Sequence, residues 1–358
     1  MNQMIDLQLN YPILREQEEQ FAGLLREVSA AEPCQVMESG PCEGSDEHRR
    51  IAAAWLSRDG NVVPKERVLL CVGGHHAVMV SLLALGLSGK TIAVDPLTYG
   101  HFKTQAASLG IRLSPCAGDE QGMKPGELAS AAESQGLKAV YLMPTVHNPL
   151  GTVMPEGRRR EICKVAQDHD LLILDDDAYN FMEAHAPPSF ALLAPERGFS
   201  VWSMTKPIAP SIKLAFLTFP EAYAEKLTSM IRITSSGASA ILAAMAAKLI
   251  ERGAMASLLT AKREDAAQRQ QLARSILAGL NLQGHPTSYH LWIDLPENQP
   301  ANTIADQLRS DGILVSSSDA YRATAEVKVN GLRLALGGVR SRDTLREALA
   351  QVRDRVRA

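Results

Sequence analysis

The segment Trp202–Leu214, WSMTKPIAPSIKL, combines a lysine with small hydroxyl residues, prolines and a second cation. Its lysine, Lys206, comes soon after the apolar, strand-like segment Phe199–Trp202 and is followed by Pro207 and Pro210. A lysine amine can form a Schiff base with a carbonyl compound, and burial lowers its pKa enough to make it nucleophilic. The groups of this segment that suit a phosphate are Ser203, Thr205 and the cation Lys213.

A lysine that attaches an aldehyde beside a phosphate site is the chemistry of pyridoxal phosphate (PLP), which also needs a partner for its ring nitrogen. The alternative is that Lys206 is a solvated surface charge, because the chain has 37 lysines and arginines in total. The choice depends on whether the rest of the chain supplies the other groups that this cofactor requires.

Candidate groups follow three predicted strands. Val68–Val72 is followed by Gly73 and Gly74, and His75 then opens a helix, where free backbone N–H groups and the helix dipole favour an anion. Two further groups follow the strands Thr91–Val94 and Ala139–Met143, and they are Tyr99 and Asn148. The simpler interpretations are an ordinary Gly-Gly turn, a core tyrosine and a structural Asn-Pro turn.

Three acids, Asp175 to Asp177, follow the apolar segment Leu171–Leu174, and Tyr179 comes next. A solvated, helix-capping turn is one interpretation. A metal site is less favoured, because no histidine or further acid cluster completes it. In the third interpretation one carboxylate, Asp176, pairs with a protonated ring nitrogen and Tyr179 contacts the same ring.

Strands alternate with helices through residues 68–220, which predicts a doubly wound, mostly parallel sheet of the α/β class. Ligands bind beyond the carboxyl ends of such strands, where all these candidate groups lie. After about residue 280 the pattern predicts a small α+β domain. Its strand Gly331–Leu336 carries Arg333, which either snorkels at the strand edge or grips a substrate carboxylate.

Composition narrows the function classes. The chain of 358 residues is 46% hydrophobic and has a net charge of −3, so nothing indicates nucleic acid or an anionic membrane as a partner. Five scattered cysteines imply no disulfide framework, and we expect a cytoplasmic protein. No apolar run reaches the roughly 18 residues of a membrane span. We expect an N-terminal arm at 1–45, a large cofactor-binding domain at 46–255 and a small domain at 256–358.

With these residues identified, the chain resembles the fold-type I PLP-dependent aminotransferases from about Asp6 to Val352. It is most similar to the class I/II branch that includes 2-aminoadipate-type aminotransferases and the aminotransferase-like domains of MocR-type regulators. The motifs that carry the resemblance are PTVHNPLGTVMPEGRRREI, LLILDDDAY and SMTKPIAPSIKL. The resemblance implies a homodimer with active sites shared between subunits, acting on an amino acid and a 2-oxo acid.

The resemblance also implies a role for each candidate. Lys206 is the Schiff-base lysine and proton shuttle, Asp176 pairs with the ring nitrogen, and Arg333 binds the substrate α-carboxylate. The ring contacts are Tyr179, Tyr99 and Asn148, the last also beside the substrate. The phosphate contacts are Gly73, Gly74, His75, Ser203, Thr205 and Lys213. The segment Asn10–Pro12, with Tyr11 at its centre, resembles the arm that folds over the substrate.

Three positions depart from the family pattern. Lys213 stands where arginine is usual, Ser39 where a tyrosine of the neighbouring subunit is common, and Leu150 where the Asn-Pro turn has threonine. Transamination is the first functional hypothesis. Another PLP reaction, an elimination, cyclisation or oxidation, is the second, with the pocket candidates Tyr289, His290 and Tyr321. A non-catalytic ligand-sensing module is the third, and we expect no DNA binding by this chain.

Overall fold

The computed structural model describes residues 4–31, 40–57 and 60–357. Ser39, the position of one departure from the family pattern, lies outside them. The helices are α1 (Arg15–Ala31), α2 (Asp46–Leu56), α3 (Gly73–Ala84), α4 (Gly100–Ser108), α5 (Pro125–Gln135), α6 (Glu156–Asp168), α7 (Phe190–Leu193), α8 (Ala224–Thr234), α9 (Ala240–Glu251), α10 (Ala254–Ile276), α11 (Ala301–Ser310) and α12 (Arg342–Arg357). None of the described helices is both long enough and apolar enough to cross a membrane.

The strands form one large sheet, one small sheet and two short pairs. They are β1 (Ile5–Asp6), β2 (Val68–Cys71), β3 (Thr91–Val94), β4 (Arg112–Pro115), β5 (Gly118–Asp119), β6 (Gly122–Met123), β7 (Ala139–Leu142), β8 (Leu172–Asp176), β9 (Gly198–Ser203), β10 (Ala215–Thr218), β11 (Asn281–Gln283), β12 (His290–Asp294), β13 (Ile313–Leu314), β14 (Ser316–Ser317) and β15 (Gly331–Ala335).

The large sheet has seven strands in the order β2-β10-β9-β8-β7-β3-β4, and only β10 runs antiparallel to its neighbours. Six of these strands therefore point their carboxyl ends to the same edge. Because β2, β3, β7 and β10 are buried along their whole length, their sequences read as continuous apolar runs rather than alternating ones. This confirms the predicted α/β fold with a mostly parallel sheet.

Most predicted elements agree with the structure, and two differences affect the site. The strand expected at Leu171–Leu174 is Leu172–Asp176, so the first two acids belong to the strand rather than to a turn. Gly73 and Gly74 are the first residues of α3 rather than a turn before it. Gly253 separates α9 from α10, and it has φ 69°, a left-handed conformation that favours glycine.

The second sheet is antiparallel, in the order β11-β12-β15-β14, and its apolar core is separate from that of the large sheet. Arg333 on β15 lies opposite Trp292 on β12, so the two residues share one face of this sheet. The chain start is attached here, because β1 pairs in parallel with β13 and the Ala335 amide donates to the Leu7 carbonyl at 2.6 Å. The domain limits near residues 45 and 255 stay predictions.

Candidate active site

Lys206 lies in the turn that joins β9 to β10. Its Nζ donates to the Asn10 carbonyl at 3.3 Å and lies 3.9 Å from the centroid of the Tyr11 ring. Burial is the largest cause that lowers the pKa of Lys206 from 10.5 to about 8, and the nearby cations Arg333 and Lys213 contribute to the same shift. A substantial fraction of this amine is therefore neutral near physiological pH, which is the form that attacks a carbonyl carbon.

Asp176 ends β8 and is 7% exposed. Its Oδ2 accepts a hydrogen bond from the Tyr141 hydroxyl at 2.8 Å, and its Oδ1 accepts from the Ala178 amide at 3.3 Å. Burial raises the pKa of Asp176 to about 6, and the Tyr141 bond opposes this rise. The carboxylate is thus ionised at neutral pH and available to a cationic partner.

The three consecutive acids have different surroundings. Asp175 accepts from the Phe190 amide at 3.0 Å and from the Ser200 hydroxyl at 2.9 Å, at the start of the short helix α7. Asp177 accepts from the Asn180 side chain at 2.7 Å. Asp176 raises the pKa of Lys206 through its charge, which places its carboxylate near the amine. The structure therefore separates two structural acids from one that lies at the site.

An anion site is built where β2 meets α3. Gly73 has φ 79°, and a Cβ placed on it would stand 3.7 Å from both Thr205 Oγ1 and Lys213 Cα. A Cβ on Gly74 would stand 3.2 Å from the Cβ of Ser203. No side chain caps this helix end, so its first N–H groups remain available to a ligand. The predicted phosphate contacts therefore lie together.

Three aromatic rings lie beside this anion site. His75 Nε2 and the Tyr99 hydroxyl are 2.9 Å apart, and His75 stacks on His101 with a centroid distance of 4.8 Å. Burial and the neighbouring charges of His101, Lys206 and Lys213 lower the pKa of His75 to about 4. Neutral His75 can therefore accept the hydroxyl hydrogen of Tyr99 and orient its ring.

Asn148, Tyr179 and Arg333 are each buried. Tyr179 has its ring centroid 5.9 Å from Lys206 Nζ, and burial raises the pKa of its hydroxyl, a rise that the charge of Arg333 and a hydrogen bond from it oppose. Within the described residues, Asn148 Oδ1 and Arg333 Nε are buried without a hydrogen-bond partner. Buried polar atoms of this kind are normally satisfied, so a polar ligand is the natural partner for both.

The N-terminal arm closes the site from the small-domain side. Arg333 Nη1 donates to the Gln8 carbonyl at 2.7 Å, and the Asn10 side chain donates to the Tyr179 hydroxyl at 3.3 Å. Together with the contacts of Lys206, these bonds place residues 8–12 over three predicted functional side chains. Two arm carbonyls thus accept hydrogen bonds from the two cations predicted to bind substrate and cofactor.

Of the three pocket candidates, only His290 lies at this site. Its ring meets Tyr179 edge-on at 5.2 Å, and its Nε2 donates to the His147 carbonyl at 2.9 Å. Tyr289 is fully buried, and its hydroxyl donates to Asp265 at 3.1 Å. Tyr321 packs instead against Trp292, at a centroid distance of 6.3 Å.

Comparison with known proteins identifies the family. Residues 2–352 match the family model for aminotransferase class I and II. The chain belongs to this family. It is 24% identical over 302 residues to the uncharacterized HTH-type transcriptional regulator YdeF of Bacillus subtilis, a match covering 84% of this chain and 65% of that protein. The chain therefore spans less than two thirds of that relative's length.

Solved aminotransferases share the fold. The multiple substrate aminotransferase of Thermococcus profundus has a TM-score of 0.90 at 19% identity, with 100% of this chain and 92% of that one covered. The kynurenine aminotransferase of Pyrococcus horikoshii has a TM-score of 0.90 at 18% identity, with coverages of 100% and 91%. At these identities the likeness concerns the fold, and it confirms the predicted fold-type I architecture.

The side chains at this site fit pyridoxal phosphate. A half-buried amine, a buried carboxylate and a glycine-lined helix start are the three groups that the aldehyde, the ring nitrogen and the phosphate require. The unpartnered amide oxygen of Asn148 leaves one further polar contact for a ligand. Lys213, in contrast, is exposed in the single chain, so it presents its charge at the open side of the anion site.

Three residues at the site were not predicted from the sequence: Tyr141, His101 and Gln8. The sequence did contain an indication of Tyr141, because a tyrosine in a fully buried strand needs a partner for its hydroxyl. Its strand β7 pairs with β8 in parallel, which places Tyr141 close to the acids that end β8. No sequence pattern indicates the role of Gln8, since its contact with Arg333 uses a backbone carbonyl and spans 325 residues of sequence.

Proposed function

We propose that this chain is a PLP-dependent aminotransferase that moves an amino group between an L-amino acid and a 2-oxo acid. One observation carries the proposal: Lys206, with its lowered pKa, lies within electrostatic reach of Asp176, Arg333 and Lys213 at once. Lys206 suits an aldehyde and Asp176 a ring nitrogen. Arg333 suits a carboxylate and Lys213 a phosphate. Membership of the aminotransferase family supports the same activity.

When bound, pyridoxal phosphate supplies an aldehyde that the amine groups can attack and a ring that withdraws electrons from the amino-acid Cα. Lys206 contributes a nitrogen that is neutral above a pH of about 8 and can then accept a proton from a neighbouring carbon. The Tyr11 ring and the Asn10 carbonyl cover this nitrogen on the arm side. They exclude water and limit the positions that the amine can take.

Two further side chains bind and orient. Arg333 offers a planar pair of N–H groups, so a substrate α-carboxylate can take the place of the Gln8 carbonyl. Asp176 holds a negative charge in a buried position, where it favours the protonated form of a ring nitrogen. Tyr141 holds that carboxylate in place through its hydroxyl.

We extend the proposal to assembly and location. A homodimer with shared active sites is implied by the family resemblance, and the exposed Lys213 leaves the phosphate side open to a second subunit. A cytoplasmic location agrees with the scattered cysteines. The domain limits at 1–45, 46–255 and 256–358 belong to the same proposal, with the arm packed on the small-domain sheet and over the site.

The experiment is a half-reaction. The protein loaded with pyridoxal phosphate is mixed with one amino acid at a time, without any oxo acid, and its visible spectrum is followed. We expect at least one amino acid to bleach the visible band and leave pyridoxamine phosphate, and a 2-oxo acid to restore the band. Release of ammonia or peroxide in place of pyridoxamine phosphate would contradict transamination and favour an elimination or an oxidation.

A second candidate is a module that binds an amino-acid-like ligand without turnover. The similarity to a protein named as an HTH-type transcriptional regulator favours it. So does the arm, whose carbonyls take the hydrogen bonds of Arg333 and Lys206. This candidate predicts a stable visible band that changes with no amino acid, so the half-reaction distinguishes the two functions.

A further inference from the structure

Lys262 is a buried lysine that the proposed reaction does not use. It lies on α10 and has no exposed surface. Its Nζ donates to the Pro12 carbonyl at 2.6 Å and to the Ile208 carbonyl at 3.3 Å. A fully buried lysine is rare in proteins, because its ammonium loses the hydration of bulk water. Its position therefore requires a reason other than solubility.

Among the described residues, no acidic side chain forms a salt bridge with Lys262. Asp265, one turn along α10, is already paired with Arg269 at 2.7 Å and with Arg342 at 2.9 Å. Burial lowers the pKa of Lys262 to about 7. Both protonation states keep at least two N–H donors, one for each carbonyl. The two hydrogen bonds can thus persist whichever state the lysine takes.

The two carbonyls belong to the two segments that form the Lys206 environment. Pro12 directly follows Tyr11, whose ring covers the Lys206 amine. Ile208 lies two residues after Lys206 in the same turn, and its carbonyl also accepts a hydrogen bond from the Gln17 side chain. Lys262 therefore bonds both to the arm and to the lysine turn from a third element, α10.

We propose that Lys262 is a positioning residue that ties the N-terminal arm to the Lys206 turn and so sets the hydration of the Lys206 amine. The inference rests on the proposed role of Lys206 but concerns the protein alone. Without the Lys262 donors, the Ile208 carbonyl keeps its hydrogen bond from Gln17, but the Pro12 carbonyl loses its bond from Lys262, and opening the arm to water satisfies it. Tyr11 then leaves Lys206, and water reaches the amine.

The first test is hydrogen–deuterium exchange of the cofactor-free protein, read by mass spectrometry over residues 8–17. Lys262→Met keeps a similar length without a donor, and we expect exchange there to be about tenfold faster than in the wild type. Lys248→Met is the control: Lys248 bonds Glu27 of α1 at 3.3 Å, and Arg252 also holds that glutamate. In the control, exchange over residues 8–17 stays at the wild-type rate.

The second test measures the pKa of Lys206 by competitive acetylation with trace acetic anhydride, again without cofactor. The charged or titratable groups facing its amine include Tyr11 on the arm, Lys213, Arg333, Asp176, Tyr179, His75 and His101. All remain in Lys262→Met, whereas the burial that lowers the pKa is reduced. We expect the pKa of Lys206 to rise by about one unit toward 10.5. A purely structural loss of stability would leave this pKa unchanged in the folded protein.

Exchange within twofold of the wild type, or an unchanged Lys206 pKa, would overturn the proposal. If Lys262→Met does not fold, Lys262→Gln takes its place, because the shorter glutamine amide reaches one carbonyl only. We expect exchange over residues 8–17 to be at least about threefold faster in Lys262→Gln than in the wild type. Neither readout needs the cofactor. If the wild type failed to bind pyridoxal phosphate, the proposed function would be contradicted, but the two tests of the role of Lys262 would still be valid.

Discussion

At the residue scale, the site is controlled by burial more than by any single ion pair. Burial is the largest cause of the lowered pKa of Lys206 and of the raised pKa of Asp176. The two shifts act in opposite directions on groups of opposite charge, so both residues titrate closer to neutrality than they would in water. Pairs of this kind are typical of catalytic sites.

The first prediction concerns pH. Only neutral Lys206 attacks an aldehyde, and its pKa is lowered to about 8, so the neutral fraction increases as the pH rises through 8. We expect the attachment rate of pyridoxal phosphate to increase about tenfold per pH unit below this midpoint and to level off above it. Stopped-flow absorbance measures the rate, and a midpoint near the ordinary 10.5 of lysine would contradict the account.

The second prediction concerns Tyr141. Tyr141→Phe removes the hydroxyl that donates to Asp176 but keeps the ring that stacks on Phe102 at 3.6 Å. Because that bond favours the carboxylate, we expect the acidic limb of the kcat profile to move up by about one pH unit and kcat to fall about tenfold.

Tyr289→Phe is the matched control for this substitution. It removes another buried hydroxyl that donates to an aspartate, Asp265, away from the site. Its kcat profile should keep the wild-type acidic limb. Equal profiles for Tyr141→Phe and the wild type would show that the Tyr141 hydroxyl does not act through Asp176.

The third prediction concerns Arg333. Arg333→Lys keeps the charge and loses the planar pair of donors, so we expect KM for the amino acid to rise at least about tenfold while cofactor binding changes little. Steady-state kinetics and a cofactor titration measure the two effects. Arg340→Lys, at an exposed arginine paired with Glu18, provides the control. An unchanged KM would remove Arg333 from the substrate site.

At the element scale, the site depends on where strands end and helices begin. The parallel strands direct Asp176 and the Asn148 loop to one edge, and α3 starts at the same edge with two glycines. The meeting of these groups at one edge of the sheet could be predicted from the sequence, because apolar runs, glycine pairs and alternating elements are local patterns. The extension of β8 through Asp176 did not, since only pairing with β9 fixes where a strand ends.

The fourth prediction belongs to this element. Gly74→Ala would bring a Cβ to 3.2 Å from the Cβ of Ser203, which narrows the anion site. We expect the affinity for pyridoxal phosphate to fall about tenfold, measured by titration of the visible band. Gly126→Ala in α5 is the control, because an added Cβ there meets nothing within 4 Å. Equal affinities in both variants would place the phosphate elsewhere.

At the scale of the whole molecule, the site is a contact between distant parts of the chain. The arm reaches Arg333 across 325 residues and Lys206 across 196. Lys262 joins the arm to the lysine turn from a third region. No local pattern predicts backbone carbonyls as partners of buried cations, so the sequence indicated an arm but could not show what it binds. The residues with side-chain chemistry were predicted, whereas those that position them were not.

The most direct measurement is the chemical identity of the cofactor linkage. The protein is incubated with pyridoxal phosphate, reduced with borohydride, digested and sequenced by mass spectrometry. The account predicts one phosphopyridoxyl group per chain, on Lys206, together with a visible band that is absent in Lys206→Ala. A modification on Lys213 or Lys262, or no modification at all, would contradict the central role assigned to Lys206.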